Sequence, residues 1–125
     1  MSNDHLNIGA TEDTPEVFLS ADGSKMLVSG MSMPENAFEF YDPIEKKSTE
    51  VLSKLQNTTT LEIQLSYMNS TSNKQILKLI NQIFKIHSAL KVIWKYESSD
   101  TLIKLKGEEI KSICNSIQIE LQEIN

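Results

Sequence analysis

Leu61-Glu-Ile-Gln-Leu-Ser-Tyr67 alternates apolar and polar residues at period two, the pattern of a strand with one buried face. Directly after it, Asn69-Ser-Thr-Ser-Asn73 supplies the short polar residues that open helices, and Ile76, Leu79, Ile80, Ile83, Phe84 and His87 follow at helical spacing. Leu90-Lys-Val-Ile-Trp-Lys-Tyr96 then returns to β character. A strand, a helix and a strand in this order predict a right-handed crossover with the two strands parallel. That unit sets the fold class as α/β.

Upstream, Glu16-Val-Phe-Leu-Ser20 and Met26-Leu-Val-Ser-Gly30 are short β-prone runs separated by Asp22-Gly23, a strong hairpin signal, so these two strands pair antiparallel. Leu6 to Ala10 is a further short strand candidate. Ser32-Met-Pro-Glu-Asn36 reads as a helix entrance with Ser32 as the cap, and Asp42-Pro43 as an interruption, because the residue before a proline avoids the α region. The expectation is a short helical segment, then a restart at Asp42 that reaches about Leu55. Downstream, Thr101 to Cys114 is helical by pattern, with Leu102, Leu105, Ile110 and Ile113 inward and Gly107 weakening the middle. Ser116 to Ile124 alternates and forms a last strand. An antiparallel hairpin beside a parallel unit makes a mixed β-sheet of about five to six strands, with three to four helices mainly on one face.

Length and composition fit one domain over residues 1–125. With 39% hydrophobic and 23% charged residues the composition is globular, and a net charge of -5 repels phosphate backbones, so nucleic acid is not an expected partner. Cys114 is the single cysteine, which excludes an internal disulfide and suits a reducing compartment; it falls beside Ile110 and Ile113 and is assigned to packing. Met1 to Gly9 carries neither a basic nor an apolar targeting region, and no apolar run is long enough to cross a membrane, so a cytoplasmic location is expected.

Chemistry is sparse. His5 and His87 lack the spacing of a metal pair, so neither a metal nor another cofactor is expected, and four glycines without a GxGxxG or Walker pattern build no phosphate cradle. His87 fits the end of a helix better than a general base. Glu108-Glu109 and the Glu120, Glu123 pair belong on solvated faces. Trp94 and Tyr96 share one strand face, which favours packing over a ligand wall. The remaining constellation is Asn69-Ser-Thr-Ser-Asn-Lys74, where the clearest strand meets the clearest helix. Such residues cap helix amino termini, and they also expose hydroxyls on a turn that a kinase can reach; the two roles are compatible.

Several ordered pieces together resemble the bacterial SiaC-type regulatory phosphoproteins, whose fold resembles the STAS domains of anti-sigma-factor antagonists. They are Thr14-Pro15, Gly30 with Met33-Pro-Glu-Asn36, Phe40-Tyr41 with Pro43, Tyr67-Met-Asn-Ser-Thr-Ser72 with Lys74, Trp94-Lys-Tyr96 and Gly107-Glu108. The resemblance implies a non-enzymatic phospho-switch. A serine/threonine kinase modifies the hydroxyl after the motif asparagine, here Ser70, and a PP2C-type phosphatase reverses it. The family usually has threonine there, whereas this chain has Ser70 followed by Thr71, so both hydroxyls stand as acceptors with Ser70 first. Partner contact is expected at Asn69, Ser70, Thr71, Ser72 and Lys74. The unmodified form in this family binds and activates a diguanylate cyclase, raising cyclic di-GMP and favouring biofilm growth. Glu97-Ser-Ser-Asp100 is less acidic than the family's usual loop. A second reading from the residues alone is a small-ligand-binding domain built on the Trp94 and Tyr96 region. A third, an enzyme, lacks a visible catalytic base.

Overall fold

A computed structural model describes residues 3–125; Met1 and Ser2, part of the polar start, lie outside the described residues. The chain order is β1 (Leu6–Ile8), β2 (Glu16–Leu19), β3 (Lys25–Ser32), α1 (Ala37–Leu52), β4 (Thr59–Met68), α2 (Ser70–Ile86), β5 (Leu90–Glu97), α3 (Thr101–Ile113) and β6 (Gln118–Ile124). The six strands lie in one sheet in sequence order. β1, β2 and β3 pair antiparallel, whereas β3, β4, β5 and β6 pair parallel, so the sheet is mixed as the sequence predicts.

Side-chain alternation places the core on one face of that sheet. Met26, Val28, Leu61, Ile63, Val92 and Trp94 are fully buried, and their register sets them side by side across three strands. Ile76, Leu79, Ile80 and Ile83 of α2 and Tyr41, Ile44 and Leu52 of α1 close over them. The opposite face carries polar groups, among them Glu62 between Lys95 at 2.7 Å and Lys25 at 3.4 Å.

The hairpin turn forms around Asp22. Its carboxylate accepts from the Ser24 amide at 3.0 Å and from the hydroxyls of Ser24 and Ser20, which draws its pKa down to about 2, the Ser24 amide contributing most. Gly23 takes a positive φ of 72°, and a Cβ there would lie 2.0 Å from Leu55 Cδ1.

Three local expectations are corrected. Helix α1 runs unbroken through Pro43 and stops at Leu52 rather than near Leu55. Proline removes one bond to the carbonyl four residues back, but Tyr41 and Ile44 on either side are buried in the core and hold the axis, while Pro43 and Glu39 face solvent, where the freed carbonyl meets water. Ser32 does not cap this helix: it ends β3, paired with Met68, and Asn36 caps instead, its side chain accepting from the Glu39 amide at 3.0 Å.

The third correction concerns α3. Its inward stripe is Ile103, Gly107, Ile110 and Cys114, while Leu102, Leu105 and Ile113 point outward. Trp94 decides this phase. Its indole N–H donates to the Ile103 carbonyl at 2.9 Å, and Gly107 sits directly against the ring, where a Cβ would come within 2.4 Å of Cδ1. Asp100 fixes the start of the helix by accepting from the Ile103 amide at 3.0 Å. Cys114 is buried, and that burial pushes its thiol pKa up, against a weaker lowering by Asn81.

Candidate functional site

Parallel β3 and β4 end together, with Met31 opposite Tyr67 and Ser32 opposite Met68 after a bulge at Gly30/Met31. The chain leaves β4 directly into α2, so the first turn of that helix stands at the carboxyl edge of the strands. Asn69 is its cap: Oδ1 accepts from the Ser72 amide at 2.9 Å, and the Asn69 amide donates to the Ser32 carbonyl at 3.1 Å. That second bond ties the helix start to the end of β3.

The hydroxyls of this turn divide into three environments. Ser70 is exposed, and its hydroxyl has no hydrogen bond among the described residues. Thr71 is exposed too, but its hydroxyl donates to Asn69 Oδ1 at 3.1 Å. Ser72, expected among the partner-facing residues, is fully buried and cannot touch a partner. It terminates a buried chain in which Tyr41 donates to Ser32 at 2.6 Å and Ser32 donates to Ser72 at 2.9 Å. Burial pushes the Tyr41 phenol up to about 12, only partly opposed by Ser32, so it stays a neutral donor. Ser72 is therefore a positioning residue, pinning the turn to α1 and β3. Lys74 is exposed one turn beyond Ser70, and the first turn contains no acidic residue.

Large apolar side chains are also exposed on the elements that flank this turn, and sequence periodicity did not single them out as contacts. Met33, just past β3, is 42% exposed; Phe38, in the first turn of α1, is 51% exposed; Tyr67, near the end of β4, is 42% exposed. Lys78 of α2 stands 5.3 Å from the Phe38 ring centroid and 3.8 Å from Glu45. Met33 and Tyr67 fell within the family-like pieces of the sequence, whereas Phe38 had only its place at an element end, where neither period applies. Trp94 by contrast is fully buried and Tyr96 nearly so, so the proposed ligand wall offers no indole face to a ligand. His87 is buried at the end of α2, its Nε2 3.0 Å from the Thr59 hydroxyl. No cluster of three or more metal-binding side chains forms among the described residues, and no helix is long and apolar enough to cross a membrane.

The fold and this edge define a small mixed-sheet α/β unit that presents an exposed hydroxyl turn where β4 leads into α2. Comparison with known proteins sharpens this class to a family. A model described as SiaC family regulatory phosphoprotein matches residues 8–124, and the chain belongs to that family, whose members regulate rather than catalyse. An uncharacterised protein of Pseudomonas aeruginosa strain UCBPP-PA14 is 22% identical over 113 residues, covering 88% of this chain and 90% of that protein. The crystal structure of apo-SiaC from Pseudomonas aeruginosa is similar with a TM-score of 0.84 at 24% identity, covering 98% of this chain and 99% of that one. SiaC solved in complex with the diguanylate cyclase SiaD, which it activates, matches with a TM-score of 0.85 at 22% identity over 95% of this chain and 99% of that one. These structures share the fold of the present chain.

Proposed function

We propose that residues 1–125 act as one cytoplasmic phospho-switch adaptor, modified on Ser70 by a serine/threonine kinase and restored by a PP2C-type phosphatase. The unmodified form binds and activates a diguanylate cyclase, as the solved SiaC–SiaD complex suggests by analogy, and so raises cyclic di-GMP. The observation that carries this reading is the difference between neighbouring hydroxyls: Ser70 is exposed and unbonded among the described residues, whereas Thr71 is held by the cap. A kinase must present the attacking oxygen free, so Ser70 is the acceptor and Thr71 the lesser site.

Phosphate at Ser70 would bring about -1.5 to -2 charges to a turn whose flanking elements expose Met33, Phe38 and Tyr67. A partner that covers this surface must then desolvate a dianion, which costs several kcal/mol and weakens binding by orders of magnitude. The test is mass spectrometry of the chain after kinase treatment, paired with calorimetric titration of a purified diguanylate cyclase. Phosphate on Ser70, with cyclase binding lost in Ser70→Asp and kept in Ser70→Ala, is the expected result. Phosphate confined to Thr71 would move the acceptor, and cyclase binding unchanged by Ser70→Asp would overturn the switch.

A further inference from the structure

Helix α3 carries an outward surface that neither its core contacts nor the hydroxyl turn uses. Leu102, Leu105 and Ile113 are 54%, 50% and 63% exposed. Single exposed aliphatics are ordinary, but three on one 13-residue helix are not scattered. At about 100° per residue, Ile113 returns to within about 20° of Leu102, so the two mark the ends of a common flank. Lys106 and Glu109 lie between them on the same flank, and neither has an ion-pair partner among the described residues. Leu105 forms the shoulder.

The order along this flank is self-complementary. Leu102, Lys106, Glu109 and Ile113 are separated by four, three and four positions. Reversing the direction keeps the spacing and exchanges lysine with glutamate and leucine with isoleucine. An antiparallel copy of α3 laid on this flank therefore sets Leu102 on the partner copy's isoleucine at each end, and Lys106 beside the other copy's glutamate twice at the centre. Such isologous pairing is what a twofold interface requires. A parallel copy would oppose lysine to lysine and glutamate to glutamate.

We propose that this flank of α3 is a homotypic interface on which a second copy of the chain packs its own α3 antiparallel. The proposal is independent of Ser70 and its modification. A 13-residue helix is about 20 Å long and buries less than the ~800 Å² per partner of a standard complex, so the dimer is weak, with a midpoint of roughly 100 μM.

Sedimentation velocity of the full chain from micromolar to millimolar concentration tests this. The wild type should shift toward dimer, and Leu102→Glu should stay monomeric with an unchanged melting temperature. Lys106→Glu and Glu109→Lys should each weaken self-association by about tenfold or more, because both symmetric contacts reverse sign together. An equimolar mixture of those two variants should recover it, as should Lys106→Glu/Glu109→Lys within one chain, since each restores opposite charges across the twofold. A wild type monomeric at millimolar concentration overturns the proposal. So does a dimer indifferent to each of Leu102→Glu, Lys106→Glu and Glu109→Lys alone.

Discussion

Replacing Gly107 by alanine sets two effects of opposite sign against each other. In a solvated helix the change gains about 1 kcal/mol from backbone propensity. Here the new methyl carbon would stand 2.4 Å from Trp94 Cδ1 and 2.6 Å from Nε1, inside any tolerable contact with a ring that is itself fully buried. Overpacking of this kind costs about 1–3 kcal/mol. If the indole shifts to relieve it, the 2.9 Å bond to the Ile103 carbonyl is lost, leaving a buried donor unpaired for about another 1–3 kcal/mol. The balance is a net destabilisation of about 1–5 kcal/mol, a large share of a domain's total of about 5–15 kcal/mol. Urea unfolding followed by fluorescence of Trp94, the sole tryptophan, measures it directly. Leu102→Ala on the same helix is the control and should stay within about 0.5 kcal/mol at low protein concentration. A Gly107→Ala protein as stable as the wild type would refute the claim that the indole contact sets the phase of α3.

Ser72→Ala removes the last link of the buried hydroxyl chain, and should cost about 1 kcal/mol while speeding amide exchange in the first turn of α2 more than elsewhere. Asn73→Ala should act in the opposite direction, because the Asn73 side-chain carbonyl oxygen is buried without a hydrogen-bond partner among the described residues; denaturant unfolding should show a gain of about 1 kcal/mol. Tyr41 titrates at about 12 folded against 10.0 unfolded, so the unfolded chain releases its proton first as pH rises. Stability is therefore fully present below pH 10 and falls by about 2–3 kcal/mol through pH 12, a loss that Tyr41→Phe should lack when the two are compared by chemical denaturation across that window.

The parallel unit from Leu61 to Tyr96 was legible because each element keeps one unbroken period and buries one face. Where the sequence misled, two local rules competed and burial in the core chose between them. In α1 the proline rule predicts a break, yet Tyr41 and Ile44 bury on both sides of Pro43 and outweigh one lost bond. In α3 two phases are open to the pattern. Hydropathy favours the one with Leu102, Leu105 and Ile113 inside, but only the other puts a residue without Cβ against Trp94. The site divides in the same way. Asn69 was readable as a cap from its own neighbourhood, whereas the burial of Ser72 depends on Ser32, forty positions away, and on Tyr41. Met33 and Tyr67 come from separate element ends that the β3–β4 register brings to one edge, and exposed Phe38 from the first turn of α1.

These same contacts determine how a charge on Ser70 would be read. The turn is held at three points: Asn69 to the Ser72 amide, the Asn69 amide to the Ser32 carbonyl, and Ser72 to the hydroxyl chain that reaches Tyr41. None of these uses the Ser70 hydroxyl, so a phosphate there breaks no bond of the fold. At the first helical position it meets the positive end of the α2 dipole, worth about 0.3–1 kcal/mol in favour, and Lys74 stands one turn on to pair with it. Modification would thus leave the helix in place or firm it, while adding about two negative charges to a turn whose flanking elements expose apolar side chains. A turn anchored in this way has little freedom to signal by rearrangement. What changes is the surface a partner must desolvate, and the fold supplies the rigidity that keeps that surface in one place.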